Sequence, residues 1–467
     1  MGFELGKGFI DSLITAQHGA FSHLEDFADR LSHFFTCGIL LMFAGVTMAN
    51  VYFLRPISCT LPTAPDNKFN EFAEAVCWVK GTTALRSTDP MPLDANDWDK
   101  IHDRSGISFY QWVPFCLSVQ AMLFFLPHAI WQSLARYTMG ENLECVLSKA
   151  RDANAAEDQT KRQKCVSIAA FQLFRLSQQH HDYRSSHWAR WQRRVVQRVP
   201  GVSIFIASKR MGNWVMTAYL TVKGLYLLNT LGQLYIIKTF LGYQGNLFAF
   251  GDALISTLTS KQEWNASEFF PRQTYCPVSV RQLGSNNNVF TAICVLPVNM
   301  FNEKIYIFLW LWIAFVTVTT AVSLILWLVR ALFQRCQTTF VRDFLILSVQ
   351  SQRNEPGRDD HPPNCLACDA QPNDPTVDRF ITECVRNDGT FLIRMLRSNA
   401  GDVAAGEILN CWWHLFVKYE QAECAEYERK RLNYALAKDD ATYGNLNEPD
   451  GQTLMRKSSM KKSRNFV

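Results

Sequence analysis

Charge is what this sequence has least of. Only 19% of its 467 residues are Asp, Glu, Lys or Arg, where a soluble domain runs nearer a quarter. The deficit is local, because charge vanishes from a few long stretches and is ordinary elsewhere. That unevenness points to membrane spans rather than a uniformly solvated globule. Residues 1 to 33 also lack an unbroken apolar run, being interrupted by Glu4, Lys7, Asp11, Glu25, Asp26, Asp29 and Arg30. No cleavable signal peptide is therefore expected, and the first span itself should target the membrane. Catalytic constellations are missing as well. Cys365-x-x-Cys368, near His361, has no second pair to complete a four-ligand zinc site. His180-His181 has only Asp182 beside it, and Gly224, Gly232 and Gly242 belong to an apolar stretch rather than a phosphate-cradling loop. We expect no enzyme, no metal and no cofactor.

Three windows are free of charge: Phe34 to Leu54, Ser105 to Ala135, and Ile305 to Val329. Each reaches the roughly 20 residues needed to cross the hydrocarbon core. A fourth, Tyr219 to Leu241, is interrupted by Lys223 and Lys238. Both lie near its ends, where a long side chain can snorkel to the headgroups. We read four spans, at 34–54, 105–135, 214–241 and 305–329.

Four spans put both termini on one side. The loop 136–213 carries 14 Lys or Arg against 6 acidic residues, whereas 55–104 carries 6 against 8 and 242–304 carries 4 against 4. Positive charge marks the cytoplasmic face, so the middle loop and both termini are expected there, and the flanking loops outside. The net charge of +5 follows from this topology and calls for no nucleic-acid partner. Each outer loop holds two cysteines separated by 18 positions, Cys59 and Cys77 in the first and Cys276 and Cys294 in the second. A matched set in an oxidising compartment reads as a disulfide framework with three possible pairings. The sequon Asn265-Ala266-Ser267 falls in the second outer loop and makes Asn265 a candidate glycosylation site.

At the start of the second span the chain reads Phe109-Tyr110-Gln111-Trp112-Val113-Pro114-Phe115. This resembles the Tyr-Tyr-Gln-Trp-Val-Pro-Phe signature of innexins, with Phe109 replacing the first Tyr. Gln120-Ala121, Pro127, Trp131, Asp29-Arg30-Leu31, Pro56-Ile57-Ser58-Cys59, Cys77-Trp78, Lys223, Tyr226, Asn229, Gln233 and Phe240-Leu241-Gly242 also fit the family pattern. The resemblance covers roughly residues 20 to 350, with a weaker echo from Asp388-Gly389 to Asp402. Between Cys59 and Cys77 the family's aromatic pattern is poorly kept, which bears on extracellular docking more than on the channel fold.

The resemblance implies an all-α membrane protein with four transmembrane helices, two disulfide-linked extracellular loops and a helical cytoplasmic domain over 330–437. It implies the pairs Cys59–Cys294 and Cys77–Cys276. It also implies a homo-oligomer of eight subunits around a pore for ions and small metabolites, able to dock with the ring of an apposed cell, to mix with other innexins and to contact membrane lipids. The N-terminal segment 1–33 would fold into the pore mouth. Pore-lining candidates are Met1, Gly2, Phe3, Phe9 and Leu13, with Gly38, Gly45 and Ala49 of the first span. Alternatives are a non-docking hemichannel, which a glycan on Asn265 would favour, and a four-span adhesion or scaffold protein.

Several expectations come from the residues alone. Pro114 removes a helix hydrogen bond and should kink the second span, with Tyr110, Gln111 and Trp112 beside it. Trp188, Trp191, Val195 and Val199, interleaved with arginines, read as a packed or membrane-surface helix. Phe380, Ile381, Cys384 and Val385, then Phe391, Leu392, Met395 and Leu396, have helical spacing. From Lys438 the apolar pattern ends, and the tail 438–467 is expected to be disordered.

Overall fold

The computed structural model describes residues 25–61, 67–85, 97–98, 101, 106–139, 142–182, 212–241, 243, 245–259, 270–281, 287–353 and 375–444. Met1, Gly2, Phe3, Phe9, Leu13, the Trp188–Val199 segment, Asn265 and the Cys365/Cys368 pair lie outside them.

Among the described residues, three helices are long and apolar enough to cross a membrane: α1 (Phe27–Tyr52), α3 (Val113–Met139) over its residues Val113–Ala135, and α8 (Pro297–Leu332). A further long helix, α6 (Trp214–Phe240), packs between α3 and α8 but is not among those three. In chain order the smaller elements are α2 (Asn67–Lys80), α4 (Asn142–Ala155), α5 (Gln159–Asp182) and α7 (Leu247–Thr259). After α8 follow α9 (Gln334–Arg353), α10 (Pro375–Arg379), α11 (Arg386–Ala400) and α12 (Asp402–Gly444). Leu40, Leu117, Phe124, Leu234, Leu309 and Ile313 form the mid-bundle core.

The all-α expectation needs one correction, because the segments flanking the spans build a five-stranded sheet. Its strands are β1 (Ser58–Thr60), β2 (Thr82–Thr83), β3 (Gly106–Ile107), β4 (Gln273–Arg281) and β5 (Asn287–Val295), in the order β1-β5-β4-β2-β3. Every pairing is antiparallel. The long hairpin follows the period of two that strands require: Thr274, Cys276 and Val278 are buried on β4, as are Ala292 and Cys294 on β5. Because Gly106 and Ile107 are strand, the helix of the second apolar window starts at Val113, after a single 3₁₀ turn at Phe109–Gln111. Pro114 thus lies in the first turn of α3, where its missing N–H would have no partner in any case. It does not kink the helix; the proline inside α3 is Pro127.

The opposite end of the bundle is capped by helices. The α4–α5 hairpin packs against α11 and α12, and Phe380, Ile381, Val385, Phe391, Leu392, Met395 and Leu396 are buried there with Trp412 and Trp413. Helix α12 continues through residues 438–444, beyond the end of its apolar pattern. Its later turns are rich in Ala, Glu, Lys and Arg, which favour helix without burial.

Asp388-Gly389 joins this domain to α6. The Asp388 N–H donates to the Gly212 carbonyl at 2.9 Å, and its Oδ1 accepts the Met216 N–H at 3.1 Å. A free N–H in the first turn of a helix is thereby satisfied from another element. Gly389 has no room for a side chain: a Cβ there would lie 2.9 Å from Val385 and 3.0 Å from Trp412. Replacing Asp388 with Ala should cost about 1–2 kcal/mol, the usual range for a lost helix cap. Asn should cost less because it keeps the acceptor. Thermal melting of the two variants checks this, and equal losses would contradict the capping role.

Candidate functional site

Two places in the chain are built more tightly than packing alone requires. The first is the sheet end. Cys59 on β1 and Cys294 on β5 are directly opposed in register and joined by a disulfide, with Cα atoms 4.1 Å apart. Cys77 in the last turn of α2 is joined to Cys276 on β4, at 5.9 Å. The two bridges tie both interspan segments into one unit around a core that includes Ile57, Ala73, Tyr110, Val278 and Leu296. So small a core gains from cross-links, each of which removes freedom from the unfolded chain.

The signature heptapeptide is the joint between this unit and α3. Tyr110 is buried with its ring 5.0 Å from that of Trp78, and Gln111 Nε2 donates to the Trp78 carbonyl. Phe109 makes edge contacts with Phe240 and Phe270, each at 5.9 Å. Trp112 points outward and is 62% exposed, as suits a ring at a membrane interface. The signature residues therefore clamp the residue next to Cys77 and align the sheet over the helices.

The second place is at the start of α1, where sequence reading anticipated little. Asp26 caps the helix: its Oδ1 accepts the Asp29 N–H at 3.1 Å, while Asp29 Oδ2 accepts the Asp26 N–H at 3.4 Å. Such a reciprocal box satisfies two helix donors at once. Lys223 does not snorkel as expected. It is fully buried, with Nζ 2.6 Å from Asp26 Oδ2, 3.0 Å from Asp29 Oδ1 and 2.7 Å from Ser323 Oγ. The carboxylates reach Lys223 because α1 begins at Phe27, several residues before the uncharged run starts. Tyr219 donates to Asp29 Oδ2 at 2.7 Å, and Trp327 Nε1 donates to Asp26 Oδ2 at 3.0 Å. Burial alone would raise the Asp26 carboxyl, but the Lys223 charge and the bonds from Lys223, Ser323 and Trp327 hold it below the ordinary carboxylate range.

Beside this network, Glu25 pairs with His128, and His33 stacks on His128 with ring centres 3.9 Å apart. His33 Nδ1 bonds to the Asp29 carbonyl oxygen at 2.8 Å, and Arg30 reaches Asn399 of the helical domain. Glu25, His33 and His128 are a metal-type donor set by proximity. Their geometry does not fit one ion, however. The imidazole planes are nearly parallel, at 8°, so their in-plane lone pairs cannot converge on a shared centre. A further local feature is a π-helical segment at Leu31–Thr36, where Thr36 Oγ1 donates to the Leu31 carbonyl and accepts from Trp312 Nε1. Among the pore-lining candidates, Gly38, Gly45 and Ala49 are exposed on a face of α1 away from the bundle, and a Cβ on either glycine would meet nothing within 4 Å.

Three apolar helices that can cross a membrane, a disulfide-braced sheet at one end and a helical domain at the other define a multi-helix membrane protein subunit. The chain belongs to the innexin family: the family described as Innexin matches residues 25–416. It is similar to innexin unc-9 of Caenorhabditis elegans, 29% identical over 84% of this chain and 92% of that protein. Innexin-11 of the same organism is 28% identical over 84% of this chain and 79% of its own length. Innexin-3, also from C. elegans, is 29% identical over 86% of each.

The buried carboxyl network generates a pH prediction. Burial pushes Glu25 from 4.5 up to about 7, against the opposing pull of His33 and Arg30. A carboxyl raised in the folded state holds a proton that the unfolded chain has lost, so its contribution to stability is present below pH 4.5 and is lost as pH rises through 7. Thermal melting across that window should fall more steeply for the wild type than for Glu25→Gln. Parallel curves would contradict a buried, titrating Glu25.

Proposed function

We propose that this chain is a gap-junction channel subunit, whose copies ring an aqueous pore that passes ions and small metabolites between adjacent cells. The observation that carries this reading is the pairing of an innexin chain with a disulfide-braced sheet at one end of an apolar helical bundle. A sheet so fixed is a rigid face that a ring of subunits can present to another ring. One four-helix subunit encloses no wide channel, so the conduit must form between subunits, and the family resemblance favours eight.

In this reading α6 is the fourth spanning helix. Its Lys223 charge is neutralised by Asp26 and Asp29, and intramembrane charge is tolerated when it is paired and turned inward. The termini and the helical domain face the cytoplasm, in accord with the basic excess of the loop 136–213, and the sheet faces the extracellular space. The small residues Gly38, Gly45 and Ala49 give α1 a narrow, open face suited to a lumen, and of the expected funnel 1–33 only residues 1–24 are left to narrow its mouth, since 25–33 are built into the bundle. Permeation is then passive, with selectivity set by width and lining charge.

Paired cells lacking junctional channels of their own provide the test, by recording junctional and single-cell currents. We expect junctional current from the wild type. Cys59→Ser should abolish it, since losing a bridge from so small a unit costs roughly 2–5 kcal/mol. Current in single cells alone would replace the docked channel with a hemichannel. Surface-expressed protein that carries neither current would overturn the channel reading.

A further inference from the structure

Where α8 ends and α9 begins, two arginines follow one another along the chain, and two more lie on α11, which packs against α9. Arg330 is in the last turn of α8, Arg335 is in the first turn of α9, and Arg394 and Arg397 are on α11. Arg397 is already committed to Asp402 through two bonds of 2.9 Å. Among the described residues, Arg330, Arg335 and Arg394 form no salt bridge. Arg330 lies over the Trp327 ring at 5.3 Å and Arg394 over the Phe340 ring at 3.9 Å. One Arg394 nitrogen donates to the Cys336 carbonyl at 3.4 Å, and its buried Nε–H has no acceptor. Burial, and then the charges of Arg330 and Arg397, pull Arg394 down to about 10. The first turn of α9 carries no carboxylate to offset this.

The place of the cluster identifies what would complete it. It closes the end of an apolar span whose outer surface stays exposed, with Ile325, Leu326, Val329, Leu332 and Phe333 open to the surroundings. Such a surface in a bilayer faces acyl chains, and the guanidinium groups at its end then lie at headgroup depth. Guanidinium forks match phosphate oxygens in pairs and shed water more readily than ammonium. A solvated basic face would present arginines to water on all sides, whereas Arg330 and Arg394 each lie over an aromatic ring.

We propose that Arg330, Arg335 and Arg394 form a headgroup site for an anionic phospholipid of the leaflet nearest the helical domain, with its acyl chains along Val329, Leu332 and Phe333. The assignment of that leaflet as cytoplasmic rests on the topology proposed above. The lipid phosphate would replace the missing counter-charge and bridge α8, α9 and α11, so that lipid composition would bear on how the helical domain is held beneath the bundle.

Cys336 is exposed at the site and reports on it. The full-length protein would be placed in nanodiscs of phosphatidylcholine alone or with phosphatidylinositol bisphosphate, and alkylation of Cys336 followed by peptide mass spectrometry. The anionic lipid should slow alkylation. Titration of a short-chain form of that lipid should show affinity falling about fivefold for each of Arg330→Gln and Arg335→Gln. Equal alkylation in the two lipid mixtures, or unchanged affinity in both variants, would overturn the site. Equal protection by inorganic phosphate would overturn the lipid in favour of a free anion. An impermeant maleimide that reaches Cys336 from outside intact cells would overturn the leaflet assignment, while the titration would still report the site itself.

Discussion

A buried ammonium sets the terms for this fold. Lys223 has no contact with solvent, and removing such a group from water costs several kcal/mol unless charge and hydrogen bonds replace the lost hydration. Asp26, Asp29 and Ser323 supply them. To do so the start of α1, the middle of α6 and the end of α8 must meet at one point. Hydrophobic burial is non-directional, so burial alone leaves their registry loose. The ion network fixes it, because a slip of one turn would strand a charge in a low-dielectric interior. The same residues cap α1, and Arg30 extends the connection to Asn399 in the helical domain.

From that point the molecule is organised toward its two ends. At one end, disulfides do what a core this small cannot do alone, and the signature residues Tyr110 and Gln111 hold the braced sheet to α3 through Trp78. At the other, Asp388 links the helical domain to the first turn of α6. Helix α6 therefore meets the ion network along its length and the domain at its start. The domain is also joined to the bundle through α8, which leads into α9 and packs Trp327 against Phe391 at 5.4 Å.

Much of this was legible in the residues. The charge-free windows located three apolar helices, because removal of charge is a local and strong signal. The cysteine pairing came from the family resemblance, since spacing left three pairings open, and the structure has those pairs. The five-stranded sheet was missed although Thr274, Cys276, Val278 and Val280 alternate, followed by Phe290, Ala292, Cys294 and Leu296. The four cysteines point to disulfide-held loops and mask the period of two. Pro114 was read as a kink because the charge-free window begins at Ser105, whereas the helix begins at Val113. Charge alone does not mark where a helix starts. The burial of Lys223 was hidden for a related reason. Its partners lie almost 200 positions away, and nothing local to a lysine in an apolar helix separates snorkelling from pairing. The parallel stacking of His33 on His128 likewise depends on two helices that only the fold brings together.

The registry of the helices depends on the Lys223 network, and melting of neutralised variants in detergent tests that dependence most directly. Lys223→Met alone leaves Asp26 and Asp29 buried without their cation, and should lower stability by about 3–5 kcal/mol. Combining it with Asp26→Asn and Asp29→Asn removes the stranded charge and keeps the capping geometry, and should recover most of the loss. If Lys223→Met melts like the wild type, or if the triple variant is no better than the single one, the network does not hold the helices in register.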